Sequence, residues 1–77
     1  MDVFETVKKI IIEELGCKPE KVVLEARLKE DLSADSIDAV KIIIDLEDTF
    51  NIQIDEDNAE NIKTVKDVVD YVSGLIK

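Results

Sequence analysis

The sequence has 77 residues, of which 45% are hydrophobic and 38% charged, and its formal net charge at pH 7 is −9. A chain of this length is expected to form one domain, residues 1–77, that buries only about 60% of its unfolded surface. The lack of His excludes a Ser/His/Asp or Cys/His nucleophile pair, and the single Cys17 excludes an intramolecular disulfide, so we expect a non-enzymatic domain in a reducing, cytoplasmic setting.

Helical segments are predicted in chain order from apolar spacing and end signals. Apolar residues recur at helical spacing over residues 3–15, and Gly16 is a suitable stop. Residues 17–34 contain Pro19 and lack a sustained period, which predicts a long ordered loop. A second helix is predicted from Ser36 to about Phe50. One or two helical turns follow within 55–62, and a capping box at 64–67 opens a last helix to about Ile76.

The second helix has apolar residues on two faces, because the side chains advance by about 100° per residue. One group is assigned to the core: Ala39, Ile42, Ile43, Leu46 and Phe50. The other lies nearly opposite and comprises Ile37, Val40 and Ile44. A bundle of three main helices and one short helix, which is the all-α fold expected here, has no second core to bury that group. It is therefore predicted to form an exposed apolar strip that binds a partner.

Ser36 is the candidate functional residue of this helix. Asp35 is placed to cap the helix, and Asp38 follows in the first turn, so the Ser36 hydroxyl lies at the helix N-terminus. A phosphate ester is favoured there by the partial positive charge and the free N–H groups. A serine at such a position is also commonly only part of a cap.

The negative charge is concentrated around this helix. Residues 30–60 contain eleven acids and one base, Lys41. Such a field should repel nucleic acids and anionic membrane surfaces and attract partners with basic patches, although a solvated acidic face is the simpler explanation of a charge run. No stretch approaches the roughly 20 apolar residues of a membrane span. A calcium loop at 55–66 fails where Glu60 and Lys66 replace the required Gly and Glu, so no metal site is expected.

The sequence resembles the acyl carrier proteins of fatty acid and polyketide synthesis over its whole length. Residues 30–38, E-D-L-S-A-D-S-I-D, are close to the family's E-D-L-G-A-D-S-L-D. L-E-D-T-F at 46–50 and I-D-E-D-N-A-E-N-I at 54–62, followed by Thr64 and Val65, support the resemblance. The departures include Lys41, where the family usually has Glu, and Ser33, where it commonly has Gly. Three more are Cys17, Ile37 and Asp55, where Val, Leu and Pro are common.

The resemblance implies a four-helix carrier that catalyses nothing itself and acts as a monomer. A phosphopantetheinyl transferase would attach 4′-phosphopantetheine from coenzyme A to Ser36, and the arm would hold growing acyl chains as thioesters. Asp35 and Asp38 would help the transferase and its Mg²⁺ engage the site. Ketoacyl synthases and other acyl-chain enzymes with basic docking patches would contact a set of six residues: Ile37, Val40, Lys41, Ile44, Glu47 and Asp48.

Two alternatives remain open from the sequence. A D-alanyl or peptidyl carrier would share the modified serine and load an aminoacyl group instead. An unmodified acidic adaptor would only bind a basic partner. The presence of one phosphopantetheine on the protein from its own host distinguishes the carriers from the adaptor.

Overall fold

Four α-helices joined by ordered loops make up the computed structural model, which describes residues 2–76 apart from the side chain of Glu56. Met1 and Lys77, which the expected domain includes, lie outside the described residues. The helices are α1 (Val3–Leu15), α2 (Ser36–Phe50), α3 (Glu56–Asn61) and α4 (Val65–Ile76). A short 3₁₀ turn, Pro19–Lys21, lies in the loop between α1 and α2. The predicted all-α fold of three main helices and one short helix is confirmed, and none of the described helices is long and apolar enough to span a membrane.

Two of the helix ends that capping residues in the sequence predicted are present in the structure. Gly16 ends α1 in the left-handed conformation, with φ 65°, and its N–H donates to the carbonyl of Ile12 at 2.8 Å. At the start of α4, the Thr64 hydroxyl accepts from the N–H of Asp67 at 3.1 Å, and the Asp67 carboxylate accepts from the N–H of Thr64 at 3.1 Å. This is the predicted capping box.

The core lies between the apolar faces of α1, α2 and α4, and α1 packs against both of the other helices. The fully buried helical side chains are Val7, Ile11, Ile42, Leu46, Val65, Val68 and Val72. Because α2 meets the core along one face only, its opposite face is left to solvent.

The loop from residue 17 to residue 34 is ordered, as predicted, and it supplies part of the core through Val22, Ala26, Leu28, Leu32 and Ala34. Val23 and Leu24 remain exposed, so its apolar residues do not all turn inward. Main-chain hydrogen bonds tie the loop to the start of α4. Leu28 N–H donates to the Lys63 carbonyl at 2.9 Å, and the N–H groups of Val65 and Lys66 donate to the carbonyls of Ala26 and Leu24, both at 3.0 Å.

Candidate functional site

Ser36 is the first residue of α2, and its side chain is exposed. Asp35 provides the helix cap: its carboxylate accepts from the N–H of Asp38 at 2.8 Å, and the Asp38 carboxylate accepts from the N–H of Asp35 at 3.4 Å. The capping acceptor is therefore Asp35 and not the serine. This arrangement places the Ser36 hydroxyl at the positive end of a 15-residue helix, where it is accessible to an incoming reagent.

The turn that leads into α2 is fixed by burial and by hydrogen bonds. Leu32 and Ala34 are buried on either side of Ser33, which has φ 60°, and Ala34 N–H donates to the Leu28 carbonyl at 2.9 Å. Before the turn, the Asp31 carboxylate accepts from the N–H of Arg27 at 2.8 Å. That backbone hydrogen bond, together with the Arg27 charge, lowers the pKa of Asp31. Ser36 is thus presented from a constrained loop.

The apolar strip of α2, formed by Ile37, Val40 and Ile44, is exposed beside Ser36. These side chains are 66%, 58% and 50% exposed, whereas Ile42 and Leu46 on the opposite face are 2% and 0% exposed. Of the other residues assigned to the core face, Ile43 and Phe50 are half-buried against the core, and Ala39 is half-buried. The predicted division of the helix into two faces is confirmed, and the role of the strip in binding partners stays a prediction.

Charged side chains flank the strip, and their environments differ. Lys41 and Asp48 are exposed, whereas Glu47 is half-buried. The Glu47 carboxylate accepts from the N–H of Ile54 at 2.9 Å, which fastens the segment after α2 to the helix. Glu47, which the resemblance assigned to partner contacts, therefore also stabilises the fold.

Glu14 of α1 lies near Lys41 and Asp45 of α2, although no pattern in the sequence singled it out. A side-chain hydrogen bond with Asp45 of α2, followed by partial desolvation, raises the pKa of Glu14. The positive charge of Lys41 opposes that shift, and the negative charge of Asp38 adds to it. At the α1–α2 junction, the Glu14 carboxyl therefore binds its proton more tightly than an ordinary glutamate does.

The site offers a hydroxyl for esterification, and the described residues contain no group of three or more His, Cys, Asp or Glu that could hold a metal ion. Asp35 and Asp38 lie within one helical turn of Ser36 and remain exposed or half-exposed. Their carboxylates could share an Mg²⁺ brought by a reactant. The arrangement is suited to accepting a phosphate-linked group from outside.

Comparisons with known proteins give a consistent result over nearly the whole chain. The family described as "Phosphopantetheine attachment site" matches residues 5–72. An acyl carrier protein of Helicobacter hepaticus is 49% identical over 74 residues, which are 96% of this chain and 97% of that protein. The solved structure of an acyl carrier protein from Enterococcus faecalis, described for its high thermal stability, aligns with a TM-score of 0.80 at 36% identity. That alignment covers 94% of this chain and 91% of the other.

Proposed function

This chain belongs to the family of acyl carrier proteins, and we propose that Ser36 is the residue to which its prosthetic group is attached. Members of the family carry acyl chains on a covalently bound 4′-phosphopantetheine, and their standard role is to supply fatty acid synthesis. They are carriers and not catalysts. The carrier function and the cofactor that the resemblance implied are therefore confirmed, and the attachment residue is the proposal.

One observation supports Ser36 above all: its hydroxyl is exposed at the first position of α2, while Asp35 satisfies the helix cap. A phosphate esterified there would lie against the helix N-terminus, where N–H donors and the helix dipole favour negative charge. The residues present fit the group. When bound, it supplies a terminal thiol that forms thioesters, and the protein's own part is to display and orient the arm.

The neighbouring residues are proposed to serve the enzymes that act on the arm. Asp35 and Asp38 engage the phosphopantetheinyl transferase and its Mg²⁺. The apolar strip and the charged Lys41, Glu47 and Asp48 form the contact surface for the transferase and for ketoacyl synthases and other acyl-chain enzymes with basic docking patches. Burial of exposed apolar side chains supplies affinity, and complementary charge supplies association rate and selectivity.

The remaining parts of the proposal follow from the same surface. The protein acts as a monomeric, cytoplasmic acyl-carrier domain over residues 1–77, with no catalysis of its own and no affinity for nucleic acid. The eleven acids of residues 30–60 support the last point, because a field of that sign repels phosphate backbones.

To test the proposal, the apo-protein is incubated with coenzyme A, Mg²⁺ and a broad-specificity phosphopantetheinyl transferase. The mass of the product is then measured by mass spectrometry. The parent protein should gain one phosphopantetheine, and Ser36→Ala should gain none. Ser33→Gly is the matched control, because it removes an exposed serine three residues earlier and suits the left-handed backbone there.

If Ser36→Ala still gains a phosphopantetheine, the arm is attached to another residue. Absence of modification on the folded parent would favour the unmodified adaptor. Supplying the loaded protein with malonyl, D-alanyl and aminoacyl donors then distinguishes fatty acid or polyketide carriers from D-alanyl and peptidyl carriers.

A further inference from the structure

The exposed face of α2 carries a positive charge beside its apolar strip. Lys41 is exposed and is the only base within residues 30–60. At about 100° per residue, Lys41 projects about 40° from Ile37 and about 60° from Ile44, and about 140° from the buried Leu46. Val40 is about 100° away from it, so Lys41 borders the apolar strip on the side of Ile37 and Ile44.

In the part of the chain that the structure describes, the acids near Lys41 form no close ion pair with it. Asp38 and Asp45 lie one helical turn away on either side of Lys41. Asp38 is engaged in the helix cap. Among the described residues, the ion pairs within 4.0 Å involve only Arg27 and Lys66. The Lys41 ammonium is left to water or to a partner.

Docking of an enzyme on the apolar strip changes the surroundings of Lys41. Contact with Ile37, Val40 and Ile44 removes part of the water around the adjoining Lys41, and a desolvated ammonium without a counter-charge is costly. A basic group opposite Lys41 adds like-charge repulsion, whereas a carboxylate offsets the loss of hydration. The same lysine therefore favours one class of partner surface and disfavours another.

Resting on the proposed function, we infer that the enzyme served by this carrier presents a carboxylate opposite Lys41. That carboxylate lies at the border of an apolar patch that covers the strip, and basic side chains lie opposite Asp38 and Asp48. Lys41 is thus a specificity residue: it admits enzymes with an acidic group at this point of the docking surface and rejects those whose docking surface is uniformly basic.

The test compares two ketoacyl synthases as consumers of the phosphopantetheine-loaded, acylated carrier. One is the synthase of the same organism, and the other is a synthase whose docking surface carries only basic charges. Lys41→Glu should lower kcat/KM with the first synthase by about tenfold and raise it with the second by a similar factor. Lys41→Arg should behave like the parent protein. Lys9→Glu, an exposed lysine on α1, makes the same change in net charge and should alter either rate by less than about twofold.

A charge reversal on the synthase completes the test. Replacing the facing carboxylate of the first synthase by Lys should restore its rate with Lys41→Glu and impair its rate with the parent carrier. Equal slowing with both synthases, together with a lower melting temperature, would mean that Lys41 only neutralises Glu14, Asp38 and Asp45, and would overturn the inference. So would an unchanged or faster reaction of Lys41→Glu with the first synthase.

Failure of this inference and failure of the proposed function give different results. A carrier that the transferase does not load contradicts the attachment of the arm to Ser36. A carrier that is loaded normally, but whose Lys41 variants react at parental rates with both synthases, contradicts only the role of Lys41. Lys41→Gln, which removes the charge without reversing it, should fall between the parent and Lys41→Glu in both assays.

Discussion

Ser33 has a backbone conformation that residues other than glycine rarely adopt. Its φ is 60°, and it lies between two buried residues, Leu32 and Ala34, in the turn that leads to Ser36. The left-handed region costs a residue with a Cβ atom about 1–2 kcal/mol. The turn tolerates this strain because burial of its neighbours and the Ala34–Leu28 hydrogen bond hold the backbone in place. The resembling carriers commonly have glycine at this position, which removes the strain.

Ser33→Gly is therefore expected to raise the free energy of unfolding by about 0.5–1 kcal/mol. Relief of the left-handed strain exceeds the extra backbone entropy that glycine gives the unfolded chain. Urea denaturation measures the change. Asn51→Gly is the matched control, because Asn51 has φ 54° at the end of α2 but asparagine tolerates this region better, so the gain should be smaller. A loss of stability in Ser33→Gly would show that the serine side chain stabilises the turn.

Individual site residues were predictable from the sequence only where their partners are close in the chain. Asp35 and Asp38 bond to each other's backbone across three residues, so the spacing alone indicated the capping box. Glu47 bonds to Ile54 only because the chain reverses after α2. Glu14 meets Asp45 only once α1 and α2 have packed. Neither contact leaves a periodic signal in the sequence.

The second helix separates structural and partner-binding roles on two faces, and two isoleucines test that separation. Ile42 is buried and Ile44 is exposed, although they are two positions apart on the same helix. Ile44→Glu should change the free energy of unfolding by less than about 0.5 kcal/mol, as surface substitutions usually do. Ile42→Glu should cost more than about 4 kcal/mol, because it buries a charge, and should unfold much of a small domain.

Circular dichroism melts measure the stability of both variants, and transferase kinetics then measure docking. Ile44→Glu should be loaded more slowly than the parent protein, because apolar contact is lost and a charge must be desolvated at the interface. Normal loading of Ile44→Glu, or a collapse of its fold, would count against the partner-face assignment.

Helices were predictable from the sequence where apolar spacing and capping residues mark their ends. The loop, which depends on contacts with residues far along the chain, was less predictable. The observed α1, Val3–Leu15, matches the range predicted from apolar spacing and Gly16. In the loop from residue 17 to residue 34 the sequence indicated order but not which apolar residues turn inward. Val22 is buried and Val23 and Leu24 are exposed, because the loop takes its shape from hydrogen bonds to residues 63–66.

Across the whole molecule, the pKa shifts predict that stability is greatest at mildly acidic pH. The pKa of Glu14 is raised above its ordinary value of 4.5, mainly by the hydrogen bond with Asp45, so the folded state binds that proton more tightly. The stabilisation of the folded state by this proton is complete below pH 4.5 and is lost as the pH rises. Backbone hydrogen bonds lower the pKa values of Asp31 and Asp67 below 3.8, so their contributions are lost in stronger acid.

The thermal midpoint should therefore rise as the pH falls from 7 toward 4.5 and should fall again below 3.8. Glu14→Gln should raise the midpoint at pH 7 and flatten the rise between pH 7 and 4.5, because the residue no longer needs a proton to bond with Asp45. Glu13 is an exposed neighbour on α1, and Glu13→Gln removes the same charge. This variant should keep the parent protein's rise in thermal midpoint between pH 7 and 4.5. If the thermal midpoint depends on pH equally in the two variants, the response comes from the overall acidity of the protein and not from Glu14 and Asp45.

The hydrogen bonds between residues 24–28 and residues 63–66 have a consequence for how the protein is made. The first N–H groups of α4 donate to carbonyls of the loop, about 40 residues earlier in the chain. Ser36 therefore leaves the ribosome well before residues 63–66, which hold the loop in front of it in place. The transferase should act poorly on a nascent or truncated chain that lacks α4, so that attachment of the arm in the cell depends on completed synthesis and folding.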